Sequence, residues 1–217
     1  MRHYDAAVFD LDGTLLDTAE GIKSSVGYVI KTLGLPKVSE EVMRSFIGPP
    51  MQKSFARVFG MEQKDADAAA DMFRNRYKDE DLFLAAPYDG IFDAVSCLRD
   101  AGVRCAVATY KRQDYAEKIL THFGFDRICD CMCGADFEGK FTKSDIIENA
   151  LKYLGVSDRL RAVMIGDSDN DALGAAGINM PFIAVTYGFG FRDADDAAKY
   201  PNVGIASIAK DIVRIIL

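Results

Sequence analysis

Two aspartates, Asp10 and Asp12, stand two residues apart in Phe9-Asp10-Leu11-Asp12-Gly13-Thr14-Leu15, directly after the apolar run Ala6 to Phe9. In an unbroken strand their carboxylates would share a face, but Gly13 interrupts the extension and lets them take different roles. Like charges this close favour a bound cation. An acidic turn uses the same residue types, since Asp and Gly are ordinary turn formers. A second acidic group, Gly166-Asp167-Ser168-Asp169-Asn170-Asp171, follows the apolar run Ala162 to Ile165 and carries three carboxylates in five residues. Such an oxygen-rich segment suits a hard cation. The spacing superficially matches a calcium loop, but the twelfth position holds Ile178 where that loop closes with glutamate, and a strand precedes it. Asp167 or Ser168 would also serve as a helix cap.

Two further residues offer the complementary chemistry. Thr109 follows the apolar run Val103 to Ala108, and its hydroxyl with nearby N–H groups suits a phosphate oxygen; threonine also caps helices in such places. Lys143 stands just before a helix that Ser144 is expected to open. An ammonium there opposes the helix macrodipole, a conflict that a bound anion relieves and that a solvated surface lysine simply tolerates. Taken together, two acidic strand ends for a cation, plus a hydroxyl and an ammonium for an anion, suit phosphoryl transfer. That reaction depends on positioning and on neutralising charge.

These residues need a scaffold that brings them to one place. After Pro87, strand candidates at 103–108, 128–133, 162–165 and 181–185 alternate with helix candidates. The helices lie at 90–101, from Ala116 to Gly124, from Ser144 to Gly155, near 170–176 and from Ser207 onward. Strands alternating with helices imply βαβ units and a parallel sheet. Between the first strand and this series, residues 18–82 read as helices only. Their apolar faces are Ile22, Val26, Val29, Ile30 and Leu33, then Met51, Phe55, Val58 and Phe59, then Ala66, Ala69, Ala70, Phe73 and Tyr77. The expected fold is therefore α/β: a doubly wound, Rossmann-like parallel-sheet core from 1–17 and 83–217, with a helical cap domain at 18–82. In open parallel sheets ligands bind beyond the carboxyl ends of the strands. The four chemical positions above follow strands of that kind.

Bulk properties narrow the classes of function. The chain has 217 residues, 49% of them apolar, enough for a sizeable core. Its formal charge of −7 argues against general nucleic-acid binding but leaves room for a local positive pocket that holds one small anion. No run approaches the roughly 20 apolar residues of a membrane span, and the N-terminus lacks the order of a signal peptide, so no membrane association and a cytoplasmic location are expected. The five cysteines, Cys97, Cys105, Cys129, Cys131 and Cys133, argue against a disulfide framework. The last three alternate as strand residues on one face, where small apolar packing and a zinc site are the two readings.

The segment Phe9-Asp10-Leu11-Asp12-Gly13-Thr14-Leu15, with Thr109, Lys143 and Gly166-Asp167 followed by Asp171, resembles the haloacid dehalogenase superfamily on its phosphatase side. The resemblance covers the whole chain, including the helical cap after strand one. Ile47-Gly48-Pro49-Pro50 and Val185-Thr186-Tyr187-Gly188 resemble the phosphoglycolate phosphatase subgroup. It implies a Mg2+-dependent phosphatase acting on a small phosphorylated metabolite. Asp10 would be the nucleophile that forms an aspartyl-phosphate. Asp12 would act as general acid and then base. Mg2+ would be held by Asp10, the Asp12 backbone carbonyl and Asp167, with Asp171 supporting that site. Thr109 and Lys143 would bind the transferring phosphoryl group. Within that resemblance Asp12 favours a phosphatase or phosphomutase, since the dehalogenase branch lacks a second acid there. Two departures stand out: Ser144 follows Lys143 where many relatives have proline, and bulky Tyr110 follows Thr109 where many have a small polar residue.

Several residues stay open at this level. Asp169 is extra acid beside the metal site. Lys23, Arg44 and Lys53 are cap cations that either contact a substrate's anionic tail or lie solvated on helices. His3 and His122 read as structural or exposed. Phe189 and Phe191 flank Gly190 and either line an entrance or pack. A β-phosphoglucomutase-like phosphomutase would use the same Asp10 and Asp12, and a non-catalytic binding or regulatory protein on this scaffold is the alternative of another class. Oligomeric state and the identity of the substrate are not legible.

Overall fold

The computed structural model describes residues 4–217; His3 lies outside them. The chain divides into two compact units, one of Met1–Asp17 with Pro87–Leu217 and one of Thr18–Ala86.

The first unit is built on a six-stranded sheet. Its strands are β1 (Ala6–Phe9), β2 (Arg104–Arg112), β3 (Cys131–Ala135), β4 (Ala162–Gly166), β5 (Phe182–Val185) and β6 (Gly204–Ala206), in the order β3-β2-β1-β4-β5-β6. All five pairings are parallel. β1, β4 and β5 are buried along their whole length, which explains why they read as continuous apolar runs and not as alternating ones. The chain runs outward from β1 through β2 to β3 and then returns to β4 on the other side of β1. Phe9 pairs with Val107 on one side and with Ile165 on the other. The residues that follow these three positions therefore emerge side by side at the carboxyl edge, where the winding reverses. Helices α5 (Ile91–Asp100), α6 (Gln113–His122), α7 (Lys143–Leu154), α8 (Asp169–Ala176), α9 (Ala194–Ala197) and α10 (Ala209–Ile216) belong to the same unit. The apolar face of α7, with Ile146, Ile147, Ala150, Leu151 and Leu154, joins Val8, Ala106 and Met164 in the core.

Three local expectations are corrected. The third strand begins at Cys131 and not near Ile128, because Phe125–Arg127 forms a 3-10 turn whose Phe125 carbonyl accepts from the Cys129 N–H. The second strand continues past Ala108 to Arg112 through an irregularity. Helix α7 is capped by Thr142 and not by Ser144. The Thr142 hydroxyl accepts from the Asp145 N–H (3.2 Å), and the Asp145 carboxylate accepts from the Thr142 N–H (2.8 Å), a reciprocal capping box. Lys143 is thus the first residue of the helix itself.

The second unit is helical. It contains α1 (Ala19–Thr32), α2 (Glu40–Arg44), α3 (Met51–Phe59) and α4 (Gln63–Arg76), the last running into a π-turn at Tyr77–Asp81. Phe46 and Phe55 meet edge to face at 5.1 Å, and Ala66, Ala69, Ala70 and Phe73 form the buried stripe of α4 at helical spacing. Asp81, 2% exposed, accepts from the Ser25 hydroxyl (2.8 Å) and from Arg76 Nε (3.2 Å), closing the π-turn against α1.

Among the described residues no helix is long and apolar enough to cross a membrane. The five cysteines are free thiols, and among the described residues the only group able to gather on a metal ion contains none of them.

Candidate active site

The Asp10 N–H donates to the Ile165 carbonyl (2.8 Å), extending the β1–β4 ladder by one residue and aiming the Asp10 side chain from the sheet edge. Beyond it the chain folds tightly, with the Thr14, Leu15 and Leu16 N–H groups all donating to the Leu11 carbonyl. Gly13 makes this turn possible. Its φ is +88°, and a Cβ there would stand 2.1 Å from Asp167 Oδ2. Glycine is required both for the backbone conformation and for that approach.

At the end of β4, Asp167 is held from the opposite direction. Its Oδ2 accepts from the N–H groups of Phe189 (2.7 Å) and Gly190 (3.0 Å), and its carbonyl accepts from the Phe191 N–H (2.7 Å). The glycine-rich loop after β5 is therefore a clamp on Asp167. Within it Phe191 is a packing residue, its ring against Phe182 and Tyr200. One turn on, Ser168 and Asp171 form the capping box of α8. Asp171 Oδ2 accepts from the Ser168 N–H (3.1 Å) and hydroxyl (2.7 Å), while Oδ1 faces Lys143 Nζ at 2.6 Å. Capping and site chemistry, two alternatives for this segment, are carried by the two oxygens of one carboxylate.

Lys143 Nζ also donates to Asp10 Oδ1 at 2.6 Å, and its side chain is 3% exposed. Carboxylate oxygens of Asp10, Asp167 and Asp171 all lie within 4.8 Å of one another, and all three residues are buried. Burial is the main reason that the Asp10 pKa stands well above the ordinary carboxylate value; Asp171, Asp167 and Asp12 add to it against the attraction of Lys143. Burial, then Asp171, push Asp167 up to about 7, against its two backbone hydrogen bonds and Lys143. Burial works against the Lys143 ammonium, but Asp10 and Asp171 outweigh it and hold its pKa above the usual lysine value. One ammonium cannot balance three carboxylates once all are ionised, which is what the raised pKa values of Asp10 and Asp167 express in this oxygen-lined, water-poor site. That donor set fits a hard divalent cation such as Mg2+.

Thr109 is buried in the irregular part of β2. Ala108 pairs with Cys133 and Arg112 with Ala135, so Thr109, Tyr110 and Lys111 stand against Gly134 alone. Gln113 pins this bulge, taking the Gly134 N–H and donating to the Met132 carbonyl (3.0 Å). The Thr109 hydroxyl accepts from the Lys111 N–H (3.1 Å), leaving its own hydrogen to donate to an anion. Lys111 Nζ lies 3.1 Å from Asp12 Oδ1, both side chains largely buried at 7% and 11% exposure. The Tyr110 hydroxyl accepts from the Lys143 N–H at 2.9 Å.

All six expected site residues lie in the first unit: Asp10 and Asp12 follow β1, Asp167 follows β4, Thr109 lies in the last part of β2, Lys143 starts α7 and Asp171 is in the first turn of α8. Asp12 turns its carboxylate to Lys111, apart from the three-aspartate group. Asp169 is exposed and accepts from Asn170, outside the buried cluster. In the helical unit Lys23 pairs with Glu40, which Arg44 approaches to 4.0 Å, and Lys53 is exposed. His122 packs edge-on against Phe123. Sequence reasoning missed Lys111 and the backbone donors of Phe189 and Gly190. Lys111 had a signal: in a strand it shares a face with Thr109. The backbone donors had none, since any residue supplies an N–H.

A family model described as haloacid dehalogenase-like hydrolase matches residues 7–185. A 5'-nucleotidase of Pseudomonas aeruginosa is 35% identical over 88% of this chain and 86% of its own length. A phosphoglycolate phosphatase of Agrobacterium fabrum is 32% identical over 94% of this chain and 88% of its own. A protein named tyrosine-protein kinase PtkA from Mycobacterium tuberculosis is 35% identical over 87% of this chain, which spans 64% of that relative's length. The crystal structure of a predicted phosphatase from Clostridium acetobutylicum superposes with a TM-score of 0.89 at 35% identity, covering 97% of this chain and 99% of that one.

Proposed function

The chain belongs to the haloacid dehalogenase-like hydrolase family and is a phosphatase of that family, and from that premise we propose that it hydrolyses a small phosphomonoester with Asp10 as nucleophile. The observation that carries this reading is the buried ion-pair cluster at the sheet edge. The Lys143 ammonium stands 2.6 Å from Asp10 and from Asp171, with Asp167 in the same group.

Asp10 Oδ attacks phosphorus and the ester oxygen leaves, forming an aspartyl-phosphate. Asp12 donates a proton to the departing oxygen and then takes one from the water that cleaves the acyl phosphate. Lys143 and the Thr109 hydroxyl face the phosphoryl oxygens and neutralise their charge; preorganised donors of this kind are worth about 3–4 kcal/mol each in a water-poor site. Lys111 holds the Asp12 carboxylate in one orientation. Mg2+, bound by Asp10, the Asp12 carbonyl and Asp167 with Asp171 in support, would add charge neutralisation on the transferring group. Residues 18–82 take the role of the cap that selects the substrate, and the chain works in the cytoplasm without a nucleic-acid or membrane partner.

Phosphate release from a panel of phosphoglycolate, a nucleoside monophosphate, pyrophosphate and a sugar phosphate tests this, with and without Mg2+ and beside Asp10→Asn. The expected result is Mg2+-dependent release by the native protein alone. Isomerisation of a sugar phosphate without net release would replace the reading with a phosphomutase. Inertness toward every compound would replace it with a binding protein.

A further inference from the structure

Tyr110 stands in the bulge that presents Thr109, at a position where bulk has no obvious use. Its hydroxyl explains it. The first turn of any helix carries N–H groups that lack an intrahelical acceptor. In α7 the capping box serves Thr142 and Asp145, while the N–H of Lys143 is served by the Tyr110 hydroxyl at 2.9 Å, reaching across from the end of β2. The Lys143 ammonium lies 5.7 Å from the centroid of the same ring, within the range of cation–π attraction. On the opposite side the lysine stem lies against α8. A Cβ on Gly174 would stand 2.6 Å from Lys143 Cγ, and the Ser144 hydroxyl donates to the Gly174 carbonyl at 2.8 Å.

Lysine has a long stem with many rotamers, so the position of its ammonium depends on what fixes the rest of the residue. Here the backbone is fixed by Tyr110 on one side and by Ser144 through α8 on the other. The bulge links this arrangement to the second phosphoryl-binding group, because Thr109 and Tyr110 are adjacent in the same three-residue excursion. Tyr110 thus bonds the backbone of Lys143 directly, and Ser144, the next residue along the helix, ties the same turn to α8.

We propose that Tyr110 is a positioning residue for phosphoryl binding: its hydroxyl fixes the backbone of Lys143, and so the reach of the ammonium, with Ser144 as the second anchor. This rests on the phosphatase reading above. It assigns Tyr110 no contact with the substrate and no proton transfer.

The test uses the full chain loaded with Mg2+ and inorganic phosphate as the probe. Tyr110→Phe keeps the ring and removes the acceptor. Phosphate affinity, measured by calorimetry, falls about three- to tenfold, the size of one lost hydrogen bond. KM for p-nitrophenyl phosphate rises in parallel, and the Mg2+ concentration for half-maximal activity does not move. Ser144→Ala alone has a smaller effect, since Tyr110 remains. The double variant loses more than the product of the two single losses, because no anchor is left. Unchanged phosphate affinity in Tyr110→Phe overturns the proposal. So does a fall in affinity matched by an equal shift in Mg2+ half-saturation, which would mark general loosening of the site. A double variant whose loss equals the product of the singles overturns the role of Ser144 as second anchor. Should Tyr110→Phe fail to fold, as judged by its melting curve, the hydroxyl is structural and the proposal falls. Failure of the phosphatase reading shows separately, as no turnover by the native protein, and leaves the phosphate-affinity comparison intact.

Discussion

Replacing Lys143 by methionine isolates the charge at the centre of the site. The side chains have similar length, so packing against α8 is largely kept and the ammonium is what is lost. Lys143 is 3% exposed, and its partners Asp171 and Asp10 are 2% and 10% exposed in their side chains, so water cannot take over the pairing. Removing one partner of such a buried pair costs about 3–5 kcal/mol, because the remaining charge is left uncompensated. For a domain of this size each kcal/mol moves the melting temperature by about 2–4 °C, so a drop of about 6–20 °C is expected in Mg2+-free buffer at pH 7.5. The pH dependence has a definite sign. Burial holds the Asp10 pKa well above the usual value and pushes Asp167 up to about 7. A carboxyl with a raised folded-state pKa contributes its full stability below the unfolded value of about 4 and loses it as pH rises through the folded value. Without the ammonium this loss deepens, so the gap between native and variant is small near pH 4 and widens as pH rises through about 7, where Asp167 ionises. Differential scanning calorimetry across that range reads it directly. A deficit below about 1 kcal/mol at pH 7.5, or one that is the same at pH 4.5 and pH 8, would refute the reasoning.

Three further outcomes follow from single contacts. Gly13→Ala places a methyl 2.1 Å from Asp167 Oδ2 in a left-handed backbone, so activity falls at least about a hundredfold and Mg2+ half-saturation rises; an active variant with native Mg2+ response contradicts the tight approach of these two loops. Lys111→Met releases the Asp12 carboxylate, so alkyl phosphates lose about ten- to a hundredfold in kcat while p-nitrophenyl phosphate, with its good leaving group, loses less; equal losses would place Lys111 outside the acid step. In the helical unit Asp81→Ala leaves the Ser25 hydroxyl and Arg76 without their acceptor and costs about 2–4 kcal/mol by urea unfolding; a loss under about 0.5 kcal/mol would show that this network is not structural.

The parts of this fold that were legible are those whose physics is local. β1, β4 and β5 are continuous apolar runs because both faces of a central parallel strand are covered, and the stripe Ala66, Ala69, Ala70, Phe73 has helical period because one face of α4 is buried. That Asp10 and Asp167 come together was legible because both follow parallel strands, β1 and β4, that end at the same edge of the sheet. What was not legible depends on tertiary register. The bulge at Thr109 to Lys111 exists because three residues of β2 face one of β3, which no pattern within β2 announces. The shift of the α7 cap from Ser144 to Thr142 follows from the reciprocal bonds with Asp145, and Ser144 is instead drawn to the Gly174 carbonyl on another helix. β6 has three residues, including Gly204, and offers no apolar run to detect.

The central claim, that Asp10 carries the phosphoryl group, is tested most directly by trapping it. The native protein is mixed with substrate and Mg2+, quenched in acid within one turnover, reduced with borohydride and mapped by mass spectrometry. An acyl phosphate at Asp10 is converted to homoserine at that position, and this is the expected result, absent from Asp10→Asn. Steady phosphate release with no modification at Asp10, or with the modification at another aspartate, would contradict the account.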